Sequence, residues 1–329
     1  MTGPTTQPTV PPRRSGALTF FVILLALFCG AGVALQSRIN GQLGSTIGNG
    51  FIAALISFTV GLIIISLCLL VSRRARAGIR AVGAAVRARK IPWWHTAGGI
   101  GGGLFVLSQG VVIGLLGIAL FTVAAVAGQT LSGLIIDTRG IGTATPKAIT
   151  VTRIVGTALA LVAVLVSVLP QLHTDSHVWL IIFPFAVGLL LGVQQALNGQ
   201  IKTLAGSATT ATFFNFVFGT VALALFAAID VIFTGLPHNL PTNPILYIGG
   251  LLGVLFIAGF AVAIPIIGVL LQSMAAVSGQ LLMALLLDYI APTNDEGVAV
   301  STIAGTVLTL IAVLITAVRS RAVFARKAS

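Results

Sequence analysis

Charged residues are scarce in this chain. They make up 7% of its 329 residues, whereas 57% are hydrophobic and the mean hydropathy is +1.10. A soluble domain carries roughly 25% charged residues because its surface must face water. The chain has too little charge to cover such a surface, and its long apolar runs indicate that lipid is its main solvent.

Acidic residues are the rarest of the charged residues: there are six, against 18 Lys and Arg, which leaves a net charge of +12. In a soluble protein this excess would suggest nucleic acid as a partner. Here the basic residues cluster in short segments between apolar runs, as the positive-inside rule expects, and no aromatic surface is interleaved with them to stack bases. We therefore expect no nucleic acid partner, and the lipid bilayer is the expected surrounding.

Cysteine and histidine are also few. Cys29 and Cys68 each lie inside an apolar run, so they form no disulfide framework. Of the four histidines only His173 and His177 are close enough to suggest a metal pair, and two isolated loop histidines are more often simply solvated. All four histidines lie at helix ends or in loops, and the HExxH and GxSxG motifs are absent. These absences argue against an enzyme, and we expect no catalytic residue, metal or cofactor.

Ten apolar runs of membrane length follow a Pro- and Thr-rich segment, residues 1–15, which we expect to be disordered. Each run is near the ~20 residues that a helix needs to cross a bilayer, which predicts an all-α polytopic membrane protein with ten transmembrane helices. Two boundaries rest only on Gly114 with Gly117 and on Pro265 with Gly268. The predicted spans are 16–38, 47–71, 93–114, 117–137, 147–169, 178–197, 208–232, 244–264, 266–288 and 297–318.

The distribution of positive charge predicts the orientation. If the N-terminus is cytoplasmic, 17 of the 18 Lys and Arg residues lie on the inner side, and only Arg38 lies outside. Five of the six acidic residues, all except Asp137, fall outside or at the outer helix ends. The positive-inside rule then places both termini in the cytoplasm of a multi-pass protein of the bacterial inner membrane, with residues 319–329 as a basic cytoplasmic tail.

An internal repeat is the strongest pattern in the sequence. The motif QxxxNGQ at 36–42 returns at 194–200, an offset of 158 residues, which also argues that the first, signal-like run is retained. Beyond the basic loop the offset becomes 151, where "AGQTLSGLIID" (127–137) lies over "SGQLLMALLLD" (278–288). The paired polar residues are Gln36 with Gln194, Asn40 with Asn198, Gln129 with Gln280 and Asp137 with Asp288.

Each repeat holds five spans, 16–169 in the first and 178–318 in the second. Because five is odd, the second repeat enters the membrane from the opposite side, so the halves are inverted. Inverted repeats are typical of secondary transporters, whose substrate site lies near mid-membrane between the halves. The sequence therefore predicts a secondary transporter.

The repeat motifs resemble a known family. "GAGVALQSRINGQLG", "AALISFTVG", "GGIGGGLF" and "GQTLSGLIID" are similar to the YdcZ-type (EamA-like) branch of the drug/metabolite transporter superfamily, over nearly all of residues 16–318. Members of that branch are often short five-helix proteins, so this chain resembles a fused pair. The resemblance implies that the first four helices of each half surround a cavity, with the fifth and tenth packed at the back.

The paired amides are the candidate substrate-binding residues. Gln36 and Asn40, four residues apart, share one helix face, and Gln194 and Asn198 repeat the arrangement. Amides donate and accept hydrogen bonds, which suits a neutral polar or zwitterionic ligand. The alternative is that they tie helices together or cap them near the helix ends. Gln129 and Gln280 lie deeper, each after a glycine that could open space beside it. Weaker candidates, with no repeat partner, are Ser108, Gln109 and Gln272.

Two other features have alternative readings. Asp137 and Asp288 are candidates for gate or coupling carboxylates, or they are ordinary acids at helix ends, such as Asp137 beside Arg139. The glycine run from 98 to 103 favours close helix packing over a phosphate-binding loop, because it lies inside an apolar span with no lysine after it.

The pattern as a whole favours export of a small metabolite or toxic compound by alternating access. A passive channel or a non-transporting assembly component is the alternative, and an embedded enzyme lacks the residues it would need. A small-molecule substrate is the expected partner. The sequence leaves open whether the protein forms a homodimer.

Overall fold

The structure is a computed structural model that describes residues 16–139, 149–168, 177–237, 239–292, 298–317 and 322–324. The side chains of 137, 138, 149, 168, 261, 264–271, 273, 316, 317 and 322–324 lie outside the described part. Segments 1–15 and 325–329, on which the predictions of a disordered and a basic tail mostly rest, lie outside it as well. Short 3₁₀ turns precede α4, α7 and α9. The helices are α1 (Gly16–Ile47), α2 (Gly50–Val71), α3 (Arg73–Arg87), α4 (Gly99–Leu116), α5 (Ile118–Arg139), α6 (Val151–Val168), α7 (Ile182–Ala205), α8 (Ala208–Thr234), α9 (Gly249–Ile290) and α10 (Val300–Ala317).

The all-helical class is confirmed. Two very short strands, β1 (Ile149–Thr150) and β2 (Ala322–Phe324), pair antiparallel and hold the start of α6 beside the tail. A helix suits a membrane because it satisfies its backbone polar groups internally. Within the described residues, six helical stretches are long and apolar enough to cross a membrane. They are Ala17–Ile47, Gly50–Val71, Trp93–Leu116, Ile118–Ile136, Val178–Ala205 and Ala208–Thr234, and the shorter apolar helices are Val151–Ser167, Gly249–Phe260, Met274–Ile290 and Val300–Ile315.

The first helix is longer than the sequence predicts. The predicted span ends at residue 38, but α1 continues to Ile47, and α7 likewise continues from the predicted 197 to Ala205. The helices go on because their polar side chains find partners within the protein. Each then stops at a left-handed glycine, Gly48 (φ 71°) or Gly206 (φ 62°), a conformation that costs glycine little. These two glycines are related by the 158-residue offset.

The basic segment after α2 is a helix and not the connecting loop that the charge distribution suggests. Ser72 caps α3 by accepting a hydrogen bond from the Ala75 backbone N–H at 3.2 Å. The buried face of α3 is made of Ala75, Gly78, Val82 and Ala85, so the helix is amphipathic.

The predicted boundary between the third and fourth spans is found at Gly117, which separates α4 from α5 with φ 77°. The largest core cluster surrounds this corner. Phe105 of α4 and Phe121 of α5 pack there with ring centroids 5.6 Å apart, together with buried residues of α1, α7 and α9. Apolar packing by four other helical segments therefore helps to fix the corner.

The eighth and ninth predicted spans lie in one helical element, α9, of 42 residues. A straight helix of that length would measure about 63 Å. The two ends of α9 nevertheless lie at the same end of α1, because Gln36 donates a hydrogen bond to the Gly249 carbonyl and Arg38 donates one to the Ala291 carbonyl. The chain must therefore reverse its direction within α9, and the predicted boundary falls in that part.

Contacts between the two halves come in pairs, and the residues of each pair are related by the repeat offsets. Phe58 of α2 fills the space beside Gly219 of α8, and the equivalent Phe216 of α8 fills the space beside Gly61 of α2. The two rings meet at a centroid distance of 5.1 Å. The Phe58–Gly219 contact is thus repeated by the equivalent residues Phe216 and Gly61. A two-fold axis between the halves produces such paired contacts.

Helix crossings repeat in the same way. A Cβ at Gly279 of α9 would overlap the Leu27 carbonyl of α1, and a Cβ at the equivalent Gly128 of α5 would overlap the Phe185 carbonyl of α7. Small residues at such points let two backbones touch, which is how helices associate in lipid. Two further crossings show the same relation, Gly30 on Ala276 and Gly188 on Ala125.

Helices α6 and α10, which hold the fifth and tenth predicted spans, pack against each other. Gly305 of α10 lies against Ser167 and Ala163 of α6, and Ser301 donates to the Ser167 carbonyl. The pairing leaves α1, α2, α4, α5, α7, α8 and α9 to surround the polar side chains described next.

Candidate functional site

Five polar side chains form a first cluster at the junction of α1, α2 and α4: Gln36, Ser37, Asn40, Ser57 and Gln109. The Asn40 amide donates to Gln109 Oε1 at 2.7 Å, and the Gln109 amide donates to Ser37 Oγ at 2.8 Å. Gln36 Nε2 donates to the backbone carbonyl of Gly249, at the start of α9, at 2.8 Å. All five side chains are buried, so this network joins α1 to both α4 and α9.

The first cluster is not fully satisfied. Asn40 Oδ1 and Ser57 Oγ are buried and have no hydrogen-bond partner among the described residues. Both lie beside Gly249, where a Cβ would overlap Asn40 Oδ1 and approach Ser57 Oγ to 2.9 Å. An unpaired polar atom in an apolar interior costs free energy. The first cluster therefore keeps two oxygens that can still accept a hydrogen bond.

Gln194, Asn198 and Asn215 form a second cluster, at the junction of α7 and α8. Asn215 Oδ1 accepts hydrogen bonds from Gln194 Nε2 at 2.7 Å and from Asn198 Nδ2 at 3.2 Å. Gln194 Oε1 has no hydrogen-bond partner within the described part of the chain. Asn215 is the repeat equivalent of Ser57, so the two clusters use the same three backbone positions, and only the third position carries a different side chain.

Glycines let α4 and α9 approach these amides. A Cβ at Gly102 of α4 would lie 2.8 Å from Gln194 Nε2, and one at the equivalent Gly253 of α9 would lie 2.9 Å from Gln36 Nε2. Neighbouring Gly99 lies on the Asn215 backbone. The glycine run at 98–103 thus packs α4 onto α7 and α8, as the packing interpretation predicts.

The two clusters differ in their accessibility. Gly41, beside the first cluster, is buried, and a Cβ there would lie 2.8 Å from the Ile113 side chain of α4. The equivalent Gly199, beside the second cluster, is exposed, and no described atom lies within 4 Å of its Cβ position. The end of α1 is therefore closed against α4. Among the described residues, the equivalent end of α7 is open at Gly199; the side chain at 264, the repeat equivalent of Ile113, lies outside them.

Gln129 and Gln280 lie at equivalent positions of α5 and α9, as the repeat predicts. Each is partly exposed, and neither side chain hydrogen-bonds to another described residue. The glycines before them do not open space, because the Phe185 and Leu27 backbones fill it. That part of the sequence interpretation is wrong, since a glycine between two helices admits the neighbouring backbone.

Asp288 is buried at the end of α9. Its carboxylate accepts hydrogen bonds from the backbone N–H groups of Ile118 at 3.1 Å and Ala119 at 2.7 Å, the first residues of α5. Arg38 Nη1 lies 3.9 Å from Asp288 Oδ1. A carboxylate at a helix N-terminus satisfies free N–H groups and complements the helix dipole. Asp288 therefore ties α9 and α1 to the α4–α5 corner, while the Asp137 side chain lies outside the described part.

A comparison of the sequence with known protein families identifies the family of this chain. Residues 21–166 and 179–315 both match the model of one family, described as "Putative inner membrane exporter, YdcZ". The chain belongs to this family. Two matched segments agree with two repeats of a drug/metabolite-type transporter, and the YdcZ-type chain is a multi-pass inner membrane protein of a transporter kind. No curated protein matches it.

The sequence of this YdcZ-type protein indicates Gln109 only as a weak candidate. The candidates named from the sequence do not include Ser37, Ser57 and Asn215, although these belong to the polar clusters. Gln109 was ranked low because its repeat equivalent is Phe260, yet it bonds Asn40 directly. The opposition of Ser57 and Asn215 in the repeat was a usable signal. The other two weak candidates are buried: Ser108 donates to the Phe105 carbonyl inside α4, and Gln272 lies in α9.

The described residues hold no group of three or more His, Cys, Asp or Glu side chains that could bind a metal ion. His177 is exposed just before the turn into α7, and His173 lies outside the described part. The expectation that the two histidines are solvated and bind no metal stays a prediction.

Replacing Asp288 with Ala should lower the free energy of unfolding of the YdcZ-type protein by about 2 kcal/mol, since a helix cap is worth 0.5–2 kcal/mol and Arg38 loses its partner. Asp230→Ala is the matched control, because Asp230 is a partly exposed acid held by Asn49. Thermal unfolding in detergent measures both. Equal midpoints for the two variants would contradict the capping role.

Proposed function

We propose that this YdcZ-type protein is a secondary active transporter that exports a small neutral or zwitterionic polar compound by alternating access. Its ten spans would form two inverted halves, 16–169 and 178–318, with both termini in the cytoplasm. The lopsided distribution of Lys and Arg supports this orientation. It puts α3 on the cytoplasmic side and Asp288 at the outer side.

The unequal packing of equivalent positions carries the proposal. Gly41 is packed against α4 and its equivalent Gly199 is exposed, although the two halves share the glycine crossings described above. In a protein built of inverted repeats, exchanging the two local arrangements would close the inner end and open the outer one. In the proposed orientation, this arrangement would correspond to an inward-facing state of such a cycle.

The second cluster would receive the substrate from the cytoplasm in this state. Gln194 and Asn198 are only partly buried, and Gln194 Oε1, a buried atom without a described hydrogen-bond partner, would accept a hydrogen bond from a ligand that displaces its neighbours. Asn215 positions both amides. Gln36 and Asn40 would take the same role after the outer end opens, when the unpaired Asn40 Oδ1 becomes accessible.

The remaining paired residues complete the proposed path. Gln129 and Gln280, partly exposed and without a hydrogen bond to another described residue, would line the space between the halves. Asp288 would act as a gate carboxylate at the outer face, because it joins α9 to the α4–α5 corner next to the closed end of α1. We propose the equivalent inner role for Asp137 from the repeat alone.

Reconstituted protein tests the function. A thermal-shift screen over metabolites and antimicrobial compounds identifies ligands, since binding raises apparent stability by mass action. Uptake of each ligand into proteoliposomes is then measured.

Asn215→Ala should lower transport by about tenfold or more, because a loss of about 1.4 kcal/mol of binding free energy weakens the substrate complex tenfold. Thr203→Ala is the control, since Thr203 lies on the exposed end of α7, and this variant should transport normally.

Accumulation of solute against its gradient distinguishes a transporter from a channel, because a channel only equilibrates. If no ligand from the screen is moved by folded wild-type protein, or if all movement stops at equal concentrations under every ion gradient, active transport is wrong. Unchanged transport by a stably folded Asn215→Ala variant would remove the second cluster from the path.

A further inference from the structure

Helix α3 carries a row of arginines on its solvent-facing side. Arg73, Arg80 and Arg87 are exposed and seven residues apart, so they lie along nearly one line with a spacing of about 10.5 Å. Ala77 and Ala84, also exposed, lie beside the row. Small neighbours leave the guanidinium groups unobstructed along the length of the helix.

The segment that contains α3 has charge of only one sign. Residues 73–90 hold seven Lys and Arg residues and residues 73–95 hold no acid. Six of the seven basic side chains are exposed; the exception, Arg76, donates to the Leu69 and Leu70 carbonyls at the end of α2. The segment contains no acidic residue that could neutralise the exposed positive charge. A negatively charged group from outside the segment is therefore needed.

Two tryptophans mark the depth of this surface. Trp93 and Trp94 follow the basic segment directly, and they are 66% and 48% exposed. Tryptophan prefers the headgroup level of a bilayer, where its ring is in apolar surroundings and its N–H reaches polar groups. The basic row therefore lies close to the level of the lipid phosphates.

The buried face of α3 is packed on the open end of the second half. Thr210 of α8 donates a hydrogen bond to the Ala75 carbonyl at 2.9 Å, and Val82 packs with Ile201 of α7 and Ala211 of α8. Helix α3 is thus a rigid support and not a mobile loop. A ligand bound to its outer side also holds the ends of α7 and α8.

We propose that α3, with Arg89, Lys90, Trp93 and Trp94, forms a binding surface for the headgroups of anionic phospholipids. Guanidinium groups bind phosphate through paired, charge-assisted hydrogen bonds, and basic residues next to a membrane are attracted to anionic lipid. This surface does not depend on the transport cycle, since it requires only that the protein is embedded in a bilayer.

Nanodiscs of phosphatidylglycerol and phosphatidylcholine test the proposal. The wild-type protein should unfold at a higher temperature when phosphatidylglycerol is present than in pure phosphatidylcholine, and added salt should reduce the difference. In Arg73→Gln/Arg80→Gln/Arg87→Gln the affinity for phosphatidylglycerol, measured by native mass spectrometry, should fall about fivefold for each arginine removed.

A charge-matched control separates a defined surface from general attraction. Arg319→Gln/Arg321→Gln/Arg326→Gln removes the same charge from the C-terminal tail and should leave the affinity near that of the wild type. Equal losses in the two triple variants, or a wild-type unfolding temperature that does not respond to phosphatidylglycerol, would overturn the proposal. If the α3 variant fails to fold, Arg73→Lys/Arg80→Lys/Arg87→Lys, which keeps the charge, should retain most of the binding.

Discussion

Oxidation of a Ser45→Cys/Gly114→Cys variant is expected to stop transport completely, and reduction should restore it. Ser45 lies at the end of α1 and Gly114 at the end of α4, where the two helices are closed together at what is the outer end in the proposed orientation. A Cβ at Gly114 would lie 3.6 Å from the Ser45 Cβ, within the ~3.5–4.5 Å that a disulfide requires. The bond would hold the outer end shut, so the cycle could not proceed.

Both native cysteines are first replaced, which gives a Cys29→Ala/Cys68→Ala background. The new cysteine pair is introduced into this background, and uptake into proteoliposomes is measured before and after oxidation. Each single cysteine variant is the control, and neither should respond to oxidant. Full transport by the cross-linked protein, with the bond verified by mass spectrometry, would show that α1 and α4 need not separate.

A single methyl group at Gly128 is expected to destabilise the protein strongly. In Gly128→Ala the new Cβ would overlap the Phe185 carbonyl, so α5 and α7 would have to move apart. Overpacking of this kind costs about 1–3 kcal/mol, and lost packing between helices adds to it. The folded yield and the thermal midpoint should both fall well below those of the wild type.

Gly133→Ala, on the same helix, is the matched control. No described atom lies within 4 Å of its Cβ position, and its repeat equivalent is Ala284. Alanine is also the better helix former, so this variant should be as stable as the wild type or slightly more so. If the two alanine variants proved equally stable, the close crossing of α5 and α7 would be wrong.

The repeat explains why so much of the fold was predictable. Polar residues are rare in lipid, so each amide that returns at a fixed offset carries much information. The pairing of Ser57 with Asn215 and of Phe58 with Phe216, visible in the sequence, corresponds to equivalent positions in space. The break at Gly117 also follows from local backbone preference.

Other features depend on tertiary contacts that no local pattern reveals. Hydropathy places the end of a helix where polar residues begin, but Gln36 and Asn40 stay inside α1 because α9 and α4 supply their hydrogen-bond partners. Gln109 has no repeat equivalent, so symmetry could not identify it. The sequence predicts a loop where α3 is found, because the many charged residues outweigh the small buried face of alanine and glycine.

Distances measured by electron spin resonance across the two ends test the central claim most directly. Spin labels at Gln42 and Val111 report on α1 and α4, and labels at the equivalent Gln200 and Val262 report on α7 and α9. In liposomes the outer pair should be mostly close and the inner pair mostly far, each with a minor population of the opposite kind. A single fixed distance for both pairs would contradict alternating access between two inverted halves.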